Sequence, residues 1–205
     1  MNFLVVDDHQ IFVHGLQILL ENNFENANIL TANNATNALA AIEQSPNIDL
    51  LILDIGLPEV DGCAFLTLLN ERNYTIPTCI ISVTEDVSKI HNVMSLGAMG
   101  FIPKEWDAKQ IVAGLKQILQ GQIIVPEEVQ KKLNTFNDLQ KQILLSKRQR
   151  DVLLLLRDGL SNLKISQILN ITEYTVKSHV SALLQLFDAG TRMQCVENAK
   201  KLGIM

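Results

Sequence analysis

The stretch "FLVVDDHQ" at residues 3–10 runs four apolar residues directly into two adjacent carboxylates. Such an apolar run reads as a buried strand, yet Asp7 and Asp8 repel one another and lose hydration if the segment packs inside. Taken alone, the pair is as well explained by a strand-end turn, where an Asp side chain satisfies nearby backbone amides. Four further apolar runs decide the matter: "NILTA" (28–32), "LLILD" (50–54), "TCIIS" (78–82) and "GFI" (100–102), each separated from the next by a segment of helical length. Strand and helix in alternation predict an α/β doubly wound parallel sheet of five strands, covered on both faces. Asp7, Asp8, Asp54 and Ser82 stand at the C-terminal ends of these runs. In an open α/β sheet those ends collect on one edge, where ligands bind. Three carboxylates distant in sequence are therefore expected to converge.

Clustered carboxylates make an oxygen-rich site for a hard divalent cation, and Mg²⁺ suits it because it takes a few carboxylates and keeps waters for a phosphate group. The ion would neutralise the cluster and stabilise a phosphoryl group in transfer, leaving one carboxylate as nucleophile. His9, beside the pair, reads as a surface loop residue, with metal binding as the alternative.

The chain of 205 residues exceeds the common size of one domain, so two are expected. No apolar stretch approaches the roughly 18 residues of a membrane span, and "MNFLVVDD" lacks the basic region of a secretory signal. The expectation is a cytoplasmic protein without membrane contact. Cys63, Cys79 and Cys195 are scattered and form no disulfide or zinc pattern. Charge divides the chain: residues 1–121 hold 5 Lys and Arg against 14 Asp and Glu, whereas 142–205 hold 9 against 5. Only the basic back half is suited to phosphate backbones.

Gly121 closes the last helical pattern of the front half, placing a first domain at 1–121. Residues 122–142 read as a partly helical linker. From "LLSKRQRDVLLLL" (144–156) onward every apolar pattern has helical period, which sets a second domain at 143–205. Ser146 with Gln149 forms a capping box, Gly159 breaks the first helix, "KISQILN" (164–170) is a second, and Thr172 is the N-cap of a third, "EYTVKSHVSALLQLF" (173–187). With "MQCVENAKKLG" (193–203) this makes a small all-α, four-helix unit of helix-turn-helix type. Helical spacing places Lys177, Ser178 and Ser181 on an exposed strip and Val180, Leu183 and Leu184 toward the core. The last helix, through Cys195, Val196 and Ala199, is the expected dimer face.

The front-half motifs "VVDD" (5–8), "LILDIGLPEVDG" (51–62), "IISVT" (80–84) and "GAMGFIPK" (97–104) together resemble the receiver domain of bacterial response regulators, with its flavodoxin-like fold. The resemblance implies that Asp54 accepts a phosphoryl group from a sensor histidine kinase, and that Asp7, Asp8, Asp54 and the Gly56 carbonyl hold Mg²⁺. It further implies that Ser82 and Lys104 contact the phosphoryl oxygens and that Phe101 is the switch aromatic. Three residues depart from the family pattern. Pro103 restricts Ile102 and removes an amide next to Lys104, Phe101 lacks the hydroxyl of the usual tyrosine, and Gln10 replaces a common proline.

Residues 143–204, with "GLSN" and "TVKSHVS" as their strongest parts, resemble the LuxR and NarL type of helix-turn-helix domain. Its recognition helix, about 173–187, would lie in the major groove of double-stranded DNA. The resemblance implies DNA contacts from Thr175, Val176, Lys177, Ser178 and Ser181, with weaker parts for Lys164 and Arg192. The two halves together imply a NarL/FixJ-class transcription regulator in which phosphorylation of Asp54 controls homodimerisation and DNA binding. No enzyme is expected beyond the receiver's own phosphorylation and dephosphorylation. One alternative keeps the DNA function with a phosphorylation-independent receiver as dimerisation module. Another is a Mg²⁺-dependent phosphotransfer enzyme on a small substrate, for which no long loop near the site offers a lid.

Overall fold

The computed structural model describes residues 1–45, 47–142 and 145–205. Strands β1 (Asn2–Val6), β2 (Asn28–Ala32), β3 (Leu50–Leu53), β4 (Thr78–Ser82) and β5 (Gly100–Pro103) form one parallel sheet in the order β2-β1-β3-β4-β5. The helices between and after them are α1 (Gln10–Asn23), α2 (Ala35–Gln44), α3 (Gly62–Glu71), α4 (Val87–Ser95) and α5 (Ala108–Leu119). Burial on both faces explains the unbroken apolar runs. Phe3, Val5, Leu50, Ile52, Cys79, Ile81 and Ile102 pack with Val13, Leu16 and Leu20 of α1 and Ile111, Leu115 and Ile118 of α5. The alternate residues Leu4, Val6, Leu51, Leu53, Ile80 and Phe101 are equally buried and point to the opposite face. The strand order reverses around β1 and β3, which puts the switch point of the topology beside the C-terminal ends of those two strands.

Most helices of this unit start at a polar cap that follows a strand. Asn34, Asp61, Asp86 and Asp107 each accept an amide hydrogen bond in the first turn of α2, α3, α4 and α5, and Asp107 completes a capping box with Gln110. Helix α1 differs, because its N-cap His9 makes no side-chain cap. The helix also carries Gly15 mid-length, exposed, where an added Cβ would meet no atom within 4 Å. Gly15→Ala is expected to stabilise the protein by about 1 kcal/mol through helix propensity, read as a rise in the urea midpoint.

Contacts divide the chain into two compact units, Met1–Lys131 and Lys132–Met205, and the boundary falls within α6 (Glu127–Gln142). The second unit contains α7 (Lys147–Arg157), α8 (Asn162–Leu169), α9 (Glu173–Leu186) and α10 (Arg192–Lys201). Ser146 and Gln149 form the capping box of α7, Gly159 takes a positive φ of 73° after it, and Thr172 caps α9. The tight turn from α8 to α9 passes through Asn170 at φ 51°, a left-handed conformation that Asn tolerates. The core of this unit is Val152, Leu153, Leu156, Ile165, Val176, Val180, Leu183, Phe187, Cys195 and Ala199. Among the described residues no helix is long and apolar enough to cross a membrane.

Candidate functional site

Strands β1 and β3 run side by side with Val6 opposite Leu53, so Asp7 and Asp54, the next residue on each, leave the sheet together. Asp7, Asp54 and Ser82 are buried, at 2%, 3% and 3% exposure. Donor atoms of Asp7, Asp8, His9 and Asp54 all lie within 4.8 Å of one another. The expected convergence of the carboxylates is thus a property of the fold.

Lys104 is delivered to the same place by the β4–β5 pairing. Ser82 stands opposite Pro103, and the Lys104 amide donates to the Ser82 carbonyl at 3.1 Å. Proline is tolerated because it closes β5, the last strand of the sheet. The Lys104 side chain is 8% exposed, and its Nζ sits 2.6 Å from Asp7 Oδ2 and 2.7 Å from Asp54 Oδ2. It also lies 4.9 Å from the centre of the Phe12 ring, a cation–π distance. The remaining oxygens are held by backbone: the Gly56 amide donates to Asp54 Oδ1 at 3.1 Å and the His9 amide to Asp7 Oδ1 at 2.9 Å.

Burial pushes the Asp54 carboxyl up, but the Lys104 ammonium, the Ser82 hydroxyl and the Gly56 amide together bring it below its ordinary value. Burial likewise opposes the charge of Lys104, and its bonds to Asp54 and Asp7 outweigh that and raise it. Both groups are therefore ionised at neutral pH. An ionised, desolvated carboxylate at a sheet edge, beside further oxygen donors and a fixed cation, can attack an electrophile and shield the charge that develops.

Phe101 is 1% exposed, its ring inside the unit. Gly56 is exposed in the β3–α3 loop. One neighbour of the site, Phe12, has no signal in the sequence. It comes from the first turn of α1 and meets Lys104, 92 residues away in sequence, only through the fold. His9 lies in the surface loop, its side chain 65% exposed, with Nδ1 3.1 Å from Asp7 Oδ1 and 3.0 Å from Asp8 Oδ1, among the donors that could hold a metal ion.

In the second unit α9 presents Lys177, Ser178 and Ser181 to solvent, as spacing predicts, with Thr175 half-buried and its hydroxyl 2.8 Å from that of Thr172. Lys177 Nζ lies 3.7 Å from Glu173 Oε1. Lys164 is exposed in the first turn of α8. Two expectations need correction. Val176 has 0% exposure and belongs to the core, so it cannot touch DNA: it stands four residues before Val180 and seven before Leu183, on the buried face of the helix. Cys195 and Ala199 are also at 0% and cannot form a dimer face, because both pack inward against α7 and α9. Val196 is half-buried against the same core. Arg192 is exposed overall, but its guanidinium is tied to Asn162 Oδ1 at 2.6 Å, a link between α10 and α8. Val176→Ala is expected to lower stability by about 2 kcal/mol through lost burial and a cavity, and an unchanged thermal melt would contradict the burial.

Comparison with known proteins gives these two units their family. Residues 3–116 match the response regulator receiver domain and residues 143–199 match the bacterial regulatory proteins of the luxR family. A glycerol metabolism activator of Pseudomonas putida is 30% identical over 206 residues, covering 96% of this chain and 93% of that protein. The transcriptional regulatory protein DegU of Brevibacillus brevis is 28% identical, covering 99% and 94%. Among solved structures, the RcsB response regulator of Salmonella typhimurium superposes with a TM-score of 0.72 at 20% identity, over 98% of this chain and 99% of that one, which concerns the fold. The chain belongs to the two-component response regulators that join a receiver domain to a LuxR-type helix-turn-helix domain, a family of DNA-binding transcription regulators.

Proposed function

We propose that Asp54 is the phosphoacceptor of a cytoplasmic transcription regulator, and that its phosphorylation by a sensor histidine kinase controls homodimerisation and DNA binding. The reading rests chiefly on one observation: Asp54 is buried yet held ionised, with Lys104 bridging it to Asp7. The Asp54 carboxylate oxygen attacks phosphorus, an O–P bond forms, and the N–P bond of the donor phosphohistidine breaks, its electron pair returning to the imidazole. The domain boundaries of this reading are 1–121, a linker over 122–142, and 143–205.

The donor set fits Mg²⁺, being oxygen-rich and partly water-accessible through exposed Asp8. Asp7, Asp8, Asp54 and the Gly56 carbonyl would hold it, and when bound it supplies charge neutralisation at the transferring phosphoryl group. Ser82 and Lys104 take the new phosphoryl oxygens. Lys104 can do so by releasing Asp7, since an acyl phosphate offers it more negative charge than the carboxylate it replaces. Such a movement at the end of β5 reaches Phe101, three residues away in the same strand. In the helical unit, Lys177, Ser178 and Ser181 face the major groove, supported by Thr175 and Lys164, with Arg192 reserved for the α8–α10 link.

Incubation with Mg²⁺ and acetyl phosphate tests the reading by intact mass and sedimentation. Wild type is expected to gain one phosphate and to dimerise, and Asp54→Asn to do neither. An adduct that persists in Asp54→Asn moves the acceptor elsewhere, and dimers indifferent to the adduct leave a phosphorylation-independent regulator.

A further inference from the structure

Tyr174, the second residue of α9, is 82% exposed. The turn that carries it is rigid: Thr172 Oγ1 accepts from the Thr175 amide at 3.1 Å and lies 2.8 Å from the Thr175 hydroxyl. An aromatic ring carried into solvent on a capped helix start is available to bury its face against a partner. Tyr174 shares a helical face with Ser178 and Ser181, at i+4 and i+7, while Val176, Val180 and Leu183 occupy the opposite, buried face.

This strip is poorly charged. Its one cation, Lys177, is 3.7 Å from Glu173, and serines discriminate weakly between bases. The N-terminal residues of a recognition helix are those that reach base edges, so the ring stands at the reading end. The apolar feature that the major groove offers to it is the 5-methyl group of thymine.

Resting on the DNA-binding reading above, we infer that Tyr174 is a specificity-determining residue, its ring packing on a thymine methyl group of the operator and selecting an A·T pair at that position. Lys177, Ser178 and Ser181 then set register and backbone contacts, and the ring reads sequence.

Selection from random duplex DNA with the full-length protein, with and without acetyl phosphate, tests this. Wild type is expected to enrich a motif with thymine at one or more positions in each half-site. Tyr174→Ala is expected to lose that preference alone, and Tyr174→Phe, which keeps the ring, to retain it. Replacing the selected thymine by uracil removes only the methyl group. It is expected to weaken wild type about fourfold, the worth of one methyl burial, and to leave Tyr174→Ala unchanged. A thermal melt of Tyr174→Ala within a degree or so of wild type keeps folding out of the comparison. The proposal is overturned if Tyr174→Ala selects the same motif, or if it weakens all sequences equally, which marks a backbone contact. Failure of wild type to enrich any motif in either state would instead sink the DNA-binding reading, and the inference with it.

Discussion

Lys104→Met is expected to cost about 3 to 5 kcal/mol at neutral pH in the absence of divalent cations, the range for a buried ion pair robbed of one partner. The lysine is 8% exposed and bridges two carboxylates, both 3% exposed in their side chains. Methionine fills a similar volume and can lie on the Phe12 ring, so the loss is electrostatic rather than steric. The pH dependence has a definite sign. In wild type the Asp54 carboxyl is depressed, so it stabilises the fold above its ordinary value of 3.8 and that contribution is lost as pH falls through the folded value. Lys104 is raised, so its contribution is present below 10.5 and lost as pH rises through its folded value. Burial is already the largest influence on Asp54, and removing the lysine takes away the strongest group that opposes it, so the carboxyl is pushed up. The variant should then grow less stable as pH rises from about 4 to 7, where wild type does not. Urea midpoints across that range decide it, and Mg²⁺ added at neutral pH should recover part of the loss in the variant. A wild-type pH profile in Lys104→Met would show that the two carboxylates do not depend on this cation.

Much of the receiver fold is legible because a parallel sheet buries both faces of its strands. "NILTA" and "TCIIS" coincide with β2 and β4, and the runs for β1, β3 and β5 differ from the strands by one residue each. The convergence of Asp7 and Asp54 follows from topology, since both directly follow paired strands. The neighbours of Lys104 do not follow from any local pattern: Phe12 and Asp7 reach it across the sheet edge. Val176 is a different case. Its spacing to Val180, Leu183 and Phe187 already describes a buried face, but a motif read as a block, "TVKSHVS", hides the period inside it. Cys195 and Ala199 carried no such signal, because small residues four apart suit a domain core and a helix interface equally well. The contacts of α7 and α9 decide between them.

Gly62→Ala is expected to slow phosphorylation of Asp54 by up to about a hundredfold and to lower stability by about 1 to 3 kcal/mol. Gly62 opens α3, and its amide donates to the Ile55 carbonyl at 2.9 Å. A Cβ there would stand 2.5 Å from the Asp54 carbonyl oxygen and 2.8 Å from Ile55 Cα. These are backbone atoms, so no side chain can swing aside. Relief requires the start of α3 and the end of β3 to separate by nearly 1 Å. The start of α3 is fixed by Asp61, whose carboxylate caps the Ala64 amide at 2.8 Å. At the end of β3 the amide of Asp54 bonds the Val6 carbonyl, so a shift of this strand end carries Asp54 with it. A nucleophile moved by that distance no longer shares Lys104 with Asp7 in the same geometry, which is why a rate effect should accompany the loss of stability. Gly15→Ala, remote in character because its Cβ meets open space, is the matching control and should be phosphorylated as wild type. Initial rates with acetyl phosphate, followed by intact mass on folded protein, separate the two. Were Gly62→Ala phosphorylated at the wild-type rate, the loop of residues 55–61 would have absorbed the strain, and the position of Asp54 would depend on β1 and Lys104 without any contribution from α3.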